Sequence, residues 1–486
     1  MAKPITRAGT SKWSVAIPPY LQVPLKKALD AMDKNEHPEA LKWFGECMQR
    51  IPQEEFAKHG KVVLYFGGQV AAQAYLAVKN RDPQPPWEEL NEWGQMAEAI
   101  LQGACEVSPD DPVPHHNLGR LYQDNGDMAA AIAAYQKALT LDPTMVETWG
   151  NLGTAFTQVG DDELGHQCNQ RCVDLPAALA SGKMAQAFIH LRYGRYEQGW
   201  KLWWERWNDL VFTGNSGRKD LKKPHWRGEP YRRRHKILVT GEQGLGDHVQ
   251  FVRYVRTMLN DEYPITAIET RKPLKRWMQA CFPELTVVVR DEEPLPDYTH
   301  HCTMMDFPSI VGTTLDTIPP PVAPLVEVKK LDIPAGHKAI GIAWEGAKGN
   351  SADYVRSIPR ELLVHLADIP NVTWVNLQFG EWQTCRAWLG KNTVDGTKDC
   401  TDVLDTASVM AGLDHIYTVD TLTCHLAGSL GVPTTILHRY CREWRWLDKT
   451  VGGEKSHWYP SIRSWDKTAP DDWVPLLLRV RKELGG

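Results

Sequence analysis

The sequence predicts an α-helical repeat solenoid followed by a pair of α/β halves built on parallel sheets. Two observations carry this reading. Small and apolar residues recur with a period of about 34 through residues 20–210, and from Lys236 onward short apolar runs alternate with amphipathic helices. Length agrees, because 486 residues exceed what one hydrophobic core usually organises.

The clearest repeat spans residues 112–143. Leu118, Gly119, Tyr122, Ala131, Tyr135, Ala138 and Pro143 fall where a helix-turn-helix unit of the tetratricopeptide type needs them. Small residues let two antiparallel helices approach, aromatic ones fill the space between them, and proline ends the second helix. One period later Trp149, Leu152, Gly153 and Phe156 repeat the first helix, followed by a degenerate second helix with Cys168 and Cys172. One period earlier Ala97, Leu101, Ala104 and Pro109 supply a second helix, and Ala40, Phe44, Cys47 and Pro52 mark another. Residues 80–87, rich in proline, interrupt the period and predict a loop. The tryptophan-rich stretch 184–207 reads as a further helical pair running on from the repeats, its tryptophans a packed seam that hinges and clamps the solenoid onto the next domain. Such a surface suits a protein or peptide partner, with a plain spacer as the alternative.

Residues 211–235 predict a basic linker. Arg218, Lys219, Lys222, Lys223, Arg227, Arg232, Arg233 and Arg234 run up to Lys236 against only Asp220 and Glu229. Contact with nucleic acid or a phosphorylated ligand is one reading and a solvated connector the other. No aromatic stacking pattern accompanies the charges, and a net charge of −5 argues against a protein that coats nucleic acid.

The α/β part divides at its prolines into lobes 236–325 and 326–486. The first lobe predicts strands 236–240, 265–269 and 286–289 with helices 247–259 and 274–281. The second predicts strands 339–344, 372–377, 415–419 and 434–437, helices 360–367, 405–413 and 421–430, and a closing helix 471–484. Two such sheets facing a cleft form a GT-B-type pair of Rossmann-like domains. No run approaches the roughly 20 apolar residues of a membrane span, and residues 1–14 lack a signal-peptide core, so the expected location is cytoplasmic. Ten scattered cysteines without a CxxC pair predict reduced, mostly buried thiols and no metal site.

Two segments carry chemistry. Gly241, Glu242, Gln243, Gly244, Leu245, Gly246 and Asp247 link a strand to a helix, where glycines permit a sharp turn and exposed amides can meet an anion or a sugar. Glu269, ending the next strand, keeps a nicotinamide-dependent oxidoreductase among the alternatives. Asp420, Thr421, Leu422, Thr423, Cys424 and His425 turn from a strand into a helix whose free amides suit a diphosphate, with an Asp helix cap beside a core histidine as the plain alternative.

Residues 241–254 (GEQGLGDHVQFVRY), Arg356-Ser357-Ile358-Pro359, Asp405-Thr406-Ala407 and residues 420–428 (DTLTCHLAG) occur in this order. The chain resembles tetratricopeptide-repeat proteins that carry a glycosyltransferase-family-9, heptosyltransferase-like domain, over roughly residues 200–465. The resemblance implies inverting transfer from a nucleotide-diphosphate sugar, as co-substrate, with no metal or other cofactor. It implies Asp247 as base beside Gln243, Gly244 and Gly246 of the glycine loop, and Arg356, Asp420, Thr421, Leu422 and His425 as donor ligands. A neutral His425 would donate to phosphate or sugar. Gln378, at a strand end, is expected either to touch the nucleotide or to be a surface amide, and Trp344 and Gly346 to border the cleft as contacts or only as its shape. Trp444, Arg445 and Trp446 match an aromatic-basic patch read as packing, and residues 440–443 depart from the proline-rich turn the resemblance leads one to expect. A non-catalytic repeat scaffold with a relic transferase domain is therefore a further alternative.

Overall fold

The computed structural model describes residues 18–34, 36–55, 60, 63–64, 67–68, 70–71, 74–75, 78, 87–177, 180–208, 221–230, 234–346, 353–469 and 472–486. Residues 80–86 of the predicted loop, and Arg218, Lys219, Asp220, Arg232 and Arg233 of the linker, lie outside them. The boundary between two compact units falls after Pro176, and the second unit takes in Ala177–Gly346 and Val355–Gly486.

The first unit is helical. Helices Pro112–Asp124 and Met128–Leu141 form the predicted repeat, and Val146–Gln158 with Asp162–Asp174 form the next. The period follows from packing: a Cβ on Gly119 would lie 2.6 Å from the ring of Tyr135, so only glycine lets the two helices meet there. Ala131, Tyr135 and Ala138 are fully buried beside it. The second helix of the next unit is regular despite its sequence, because Cys168 and Cys172 bury where alanines would stand. Asp127 and Asp161 each start a second helix, accepting the N–H of Ala130 and of Leu164 at 3.0 Å.

The second unit holds two parallel sheets. Strands β1 (Ile237–Thr240), β2 (Ile265–Thr270), β3 (Thr286–Val289) and β4 (His300–Thr303) take the order β3-β2-β1-β4. Strands β5 (Lys338–Ala343), β6 (Val372–Asn376), β7 (Thr393–Asp395), β8 (His415–Thr418), β9 (Thr434–His438) and β10 (Ile462–Asp466) take the order β10-β9-β8-β5-β6-β7. Counted from β5, that is the doubly wound order of a Rossmann sheet, with its switch point between β5 and β8. β5 shows the alternation of a two-sided strand: Ala339 and Ala343 enter the core shared with helices Leu245–Asn260 and Leu422–Leu430, whereas Ile340 and Ile342 enter the core under the closing helix Val474–Glu483.

Three expectations are corrected. Helices Ala180–Arg192 and Tyr196–Trp203 belong to the α/β unit, not to the solenoid. Leu191, Trp200 and Trp203 share a core with Ile237 and Phe251, and the Trp203 indole donates to the Met305 carbonyl at 3.0 Å, so apolar surface overrides the repeat-like spacing. The linker is not solvated throughout: Trp226 is buried and its N–H donates to the His301 carbonyl at 2.7 Å, extending the edge of β4. The predicted helix 360–367 is a 3-10 helix, Arg360–Leu366.

Candidate functional site

Both chemistry-bearing segments leave their sheets at a switch point, the place where ligands meet open α/β sheets. The glycine loop follows β1 beside β4, and the Asp420 segment follows β8 beside β5.

In the glycine loop the backbone constraints are steric. A Cβ on Gly241 would lie 1.9 Å from the His248 imidazole, which fills that space. Gln243 adopts φ +61°, and its carbonyl accepts from the Arg271 guanidinium at 2.7 Å. Gly244 caps helix Leu245–Asn260, and Asp247 in the first turn accepts the Gly244 N–H at 2.8 Å. Gly246 stands against the other segment: a Cβ there would lie 2.7 Å from Cδ2 of His425 and 3.5 Å from Cα of Leu422. The two predicted segments therefore meet.

On the second sheet Thr421 caps helix Leu422–Leu430, which ends at Gly431 in the left-handed region. Arg356 donates through Nη1 to the Asp420 carbonyl at 3.0 Å, bringing the predicted basic residue to this helix start. Gln378 lies at the same sheet end, its amide oxygen accepting the Glu345 N–H at 3.3 Å, while Gly346 donates to Ser357 at 3.1 Å. Trp344 is fully buried and shapes the core. His425 shares Nδ1 with the Tyr459 hydroxyl at 3.2 Å and stacks on Trp446 at 5.4 Å. Burial holds its imidazole down to about 4, so it is neutral near pH 7. Asp420, Cys424 and His425 bring potential ligand atoms within 4.8 Å of one another. The Cys424 thiol donates to the Thr421 carbonyl at 2.9 Å, and burial raises it well above its ordinary value.

Glu269, the acid of the oxidoreductase alternative, is buried and paired with Arg290 at 3.3 Å, so no ribose hydroxyl has access to it.

Sequence reasoning missed the centre of the site. Arg445 is more than packing: its guanidinium pairs with Asp247, reaches Glu443 at 2.5 Å and Gln243 at 3.3 Å, and lies 4.4 Å from the Trp444 ring centroid. Glu443 starts the 3-10 turn Trp444–Trp446 by accepting the Arg445 N–H at 2.9 Å, and burial pushes its carboxyl up to about 7. The turn ends on Leu447 at φ +58°, ψ 164°, at the border of a region almost reserved for glycine that costs about 1–3 kcal/mol. The one signal available beforehand was the arginine between two tryptophans.

A second buried network positions the loop from below. Arg206 donates from Nε to Glu242 at 3.1 Å, from Nη1 to the Trp203 carbonyl at 3.1 Å and from Nη2 to Thr303 at 3.2 Å, and it pairs with Asp306. Asp306 also takes His225 at 2.8 Å and the Thr303 N–H at 2.8 Å. Burial opposes the Asp306 charge, but Arg206 and His225 hold the carboxyl well below its ordinary range; burial pushes Glu242 up.

These environments set a pH dependence of stability. Burial holds His248 and His438 to about 3 and His425 to about 4, against an ordinary value of 6.5. The unfolded chain takes up these protons first, so the histidine contribution is whole above pH 6.5 and is lost as pH falls toward 4. Glu242 and Glu443, raised to about 7, contribute with the opposite sign, whole below 4.5 and lost as pH rises through 7. Burial likewise holds His116 to about 3 and His190 and His415 to about 4, so six histidines stand against two glutamates and stability is expected to fall as pH drops from 6.5 to 4. Urea midpoints across that range check it.

A tetratricopeptide repeat family model matches residues 112–145. Protein FlbA of Caulobacter vibrioides is 25% identical over 435 residues, covering 82% of this chain and 70% of that protein. Among solved structures, E. coli ADP-heptose lps heptosyltransferase II is 14% identical with a TM-score of 0.35, covering 51% of this chain and 97% of that one. A tetratricopeptide repeat protein from Parabacteroides merdae is 15% identical with a TM-score of 0.28, covering 40% and 71%. Among the described residues no helix is long and apolar enough to cross a membrane. This chain carries a tetratricopeptide repeat region followed by an α/β unit of two parallel Rossmann-like sheets.

Proposed function

We propose that the α/β unit is a glycosyltransferase that moves a sugar from a nucleotide-diphosphate sugar to a hydroxyl acceptor on a protein or glycan, with inversion and without a metal ion. The observation that carries this reading is the contact of Gly246 with His425 and Leu422, which puts a carboxylate-bearing loop beside a helix start suited to a diphosphate.

In this reading the acceptor oxygen attacks the anomeric carbon from the side opposite the diphosphate, and the bond to the diphosphate breaks. Asp247 takes the acceptor proton. The amides of residues 421–423, the Arg356 guanidinium and neutral His425 meet the charge that builds on the leaving group. Gln378 contacts the nucleotide from the end of β6, and the repeats hold a protein or peptide partner.

One observation favours a second reading, a repeat scaffold whose α/β unit binds ligand without turnover. Both carboxylate oxygens of Asp247 are engaged, one by Gly244 and one by Arg445. A thermal-shift panel of nucleotide-sugars, followed by measurement of nucleotide release, separates the readings. One donor class is expected to stabilise the protein, by about 2.7 kcal/mol at a hundredfold excess over Kd, and to release its nucleoside diphosphate on turnover. Stabilisation without release across the panel supports the scaffold, and stabilisation by dinucleotides alone replaces both readings.

A further inference from the structure

The search for unassigned chemistry returns to one segment that the mechanism above does not use, residues 442–448. It is braced at both ends. Arg442 holds Asp466 of β10 with two nitrogens, one at 2.6 Å, and Asp448 donates its N–H to the Arg192 carbonyl at 2.8 Å. Between the braces the chain passes through the 3-10 turn and the unusual backbone of Leu447. Conformations of that kind persist only where the surroundings impose them, and they cluster at working sites. What the segment presents is Arg445, buried against Trp444 and Phe251, with carboxylates on both sides: Asp247 from the glycine loop and Glu443 from its own turn. Its Nε–H has no acceptor among the described residues.

We propose that Arg445 is a positioning residue for the transfer reaction: it fixes the orientation of the Asp247 carboxylate, while Glu443 and the Trp444 ring hold the guanidinium in place. This rests on the glycosyltransferase reading. The charged and titratable groups around the pair are few. Asp247 interacts with Arg445, His425 and Arg271. Glu443 interacts with Arg445, Asp420 and Arg439, and with the Tyr196 hydroxyl, and Arg445 also faces Asp420 and His425. Glu443 and Trp444 hold the guanidinium on the turn, so the Asp247 carboxylate that meets it is held in one orientation.

The experiment measures donor-saturated transfer at pH 7.5 in the full chain and in Arg445→Gln, Arg445→Lys and Glu443→Gln, with donor KM and thermal melting followed separately. In Arg445→Gln, kcat is expected to fall about tenfold or more, with donor KM changed less than about threefold. Arg445→Lys, which keeps a charged donor for Asp247, restores part of that kcat at the same donor KM, and it carries the test if Arg445→Gln does not fold. Glu443→Gln, whose amide oxygen still accepts from Arg445, lowers kcat less than Arg445→Gln does. A kcat that falls equally in Arg445→Gln and Arg445→Lys, or in proportion to a drop in melting temperature, overturns the assignment, because a merely structural role is not rescued by the conservative variant. A donor KM that rises with Arg445→Lys and Arg445→Gln instead makes Arg445 a donor ligand and equally overturns it. Absence of turnover in the parent chain for every donor overturns the transferase reading itself, and with it this inference.

Discussion

Asparagine at position 247 is expected to lower sugar transfer by about 10²–10⁴-fold, the range for losing a positioned general base. The side chain keeps its shape and loses its charge. Asp247 uses one oxygen for the Gly244 N–H and the other for Arg445, and an amide offers only one oxygen for the two donors. The Gly244 cap, which is local to the helix start, is the contact expected to survive. Donor-induced thermal stabilisation should also remain, because residues 421–423 and Arg356 sit on the other sheet. Steady-state transfer at saturating donor, with thermal shift on the same preparation, checks both halves. Transfer at the parent rate would remove Asp247 from the base role.

Arg206→Met is expected to have the largest effect on stability. Arg206, Glu242 and Asp306 have no exposed side-chain surface, so removing the cation strands two carboxylates in the interior. Breaking a buried pair in this way costs about 3–5 kcal/mol. For a unit of this size that lowers Tm by on the order of 10 °C. Lysine should rescue little, since a single ammonium cannot serve Glu242, Asp306, Thr303 and the Trp203 carbonyl from one planar fork. Replacing all three charged groups by apolar residues of similar volume should cost much less than Arg206→Met alone, because no charge is then left unpaired. Thermal melts of the three variants at pH 7 decide it, and a Tm within 2 °C of the parent for Arg206→Met would mean that the network does not hold the glycine loop.

The elements that sequence reading located are those whose pattern is local. Residues 112–143 were legible because Gly119 and Tyr135 leave a steric signature within one period, and β1, β2, β3, β5, β6, β8 and β9 because they are short apolar runs between turn residues. β4 was missed because His300, His301, Cys302 and Thr303 do not look like a strand; the last three are buried by their neighbours, not by their own hydrophobicity. β7 is only three residues long, and β10, at a sheet edge, sets Arg463 and Ser464 side by side between Ile462 and Trp465, which breaks the apolar run. The tryptophans of residues 200–207 carry repeat-like spacing, yet their partners are Met305 and Asp306 about a hundred residues on. In the site, Asp247, Arg356 and the Asp420 segment could be named because they lie in short motifs. Arg445 could not, because its partner Asp247 is 198 positions away and no periodicity links them.

The bare backbone at position 246 has a mechanical consequence. Where two parts of a protein touch through long side chains, a small shift in one is absorbed by rotamer changes in the other. Here an imidazole rests directly on main chain, inside a close-packed region that yields little. A displacement of His425 by a few tenths of an ångström is therefore handed on to the Asp247 turn almost undiminished, as motion passes between two gear teeth already in mesh.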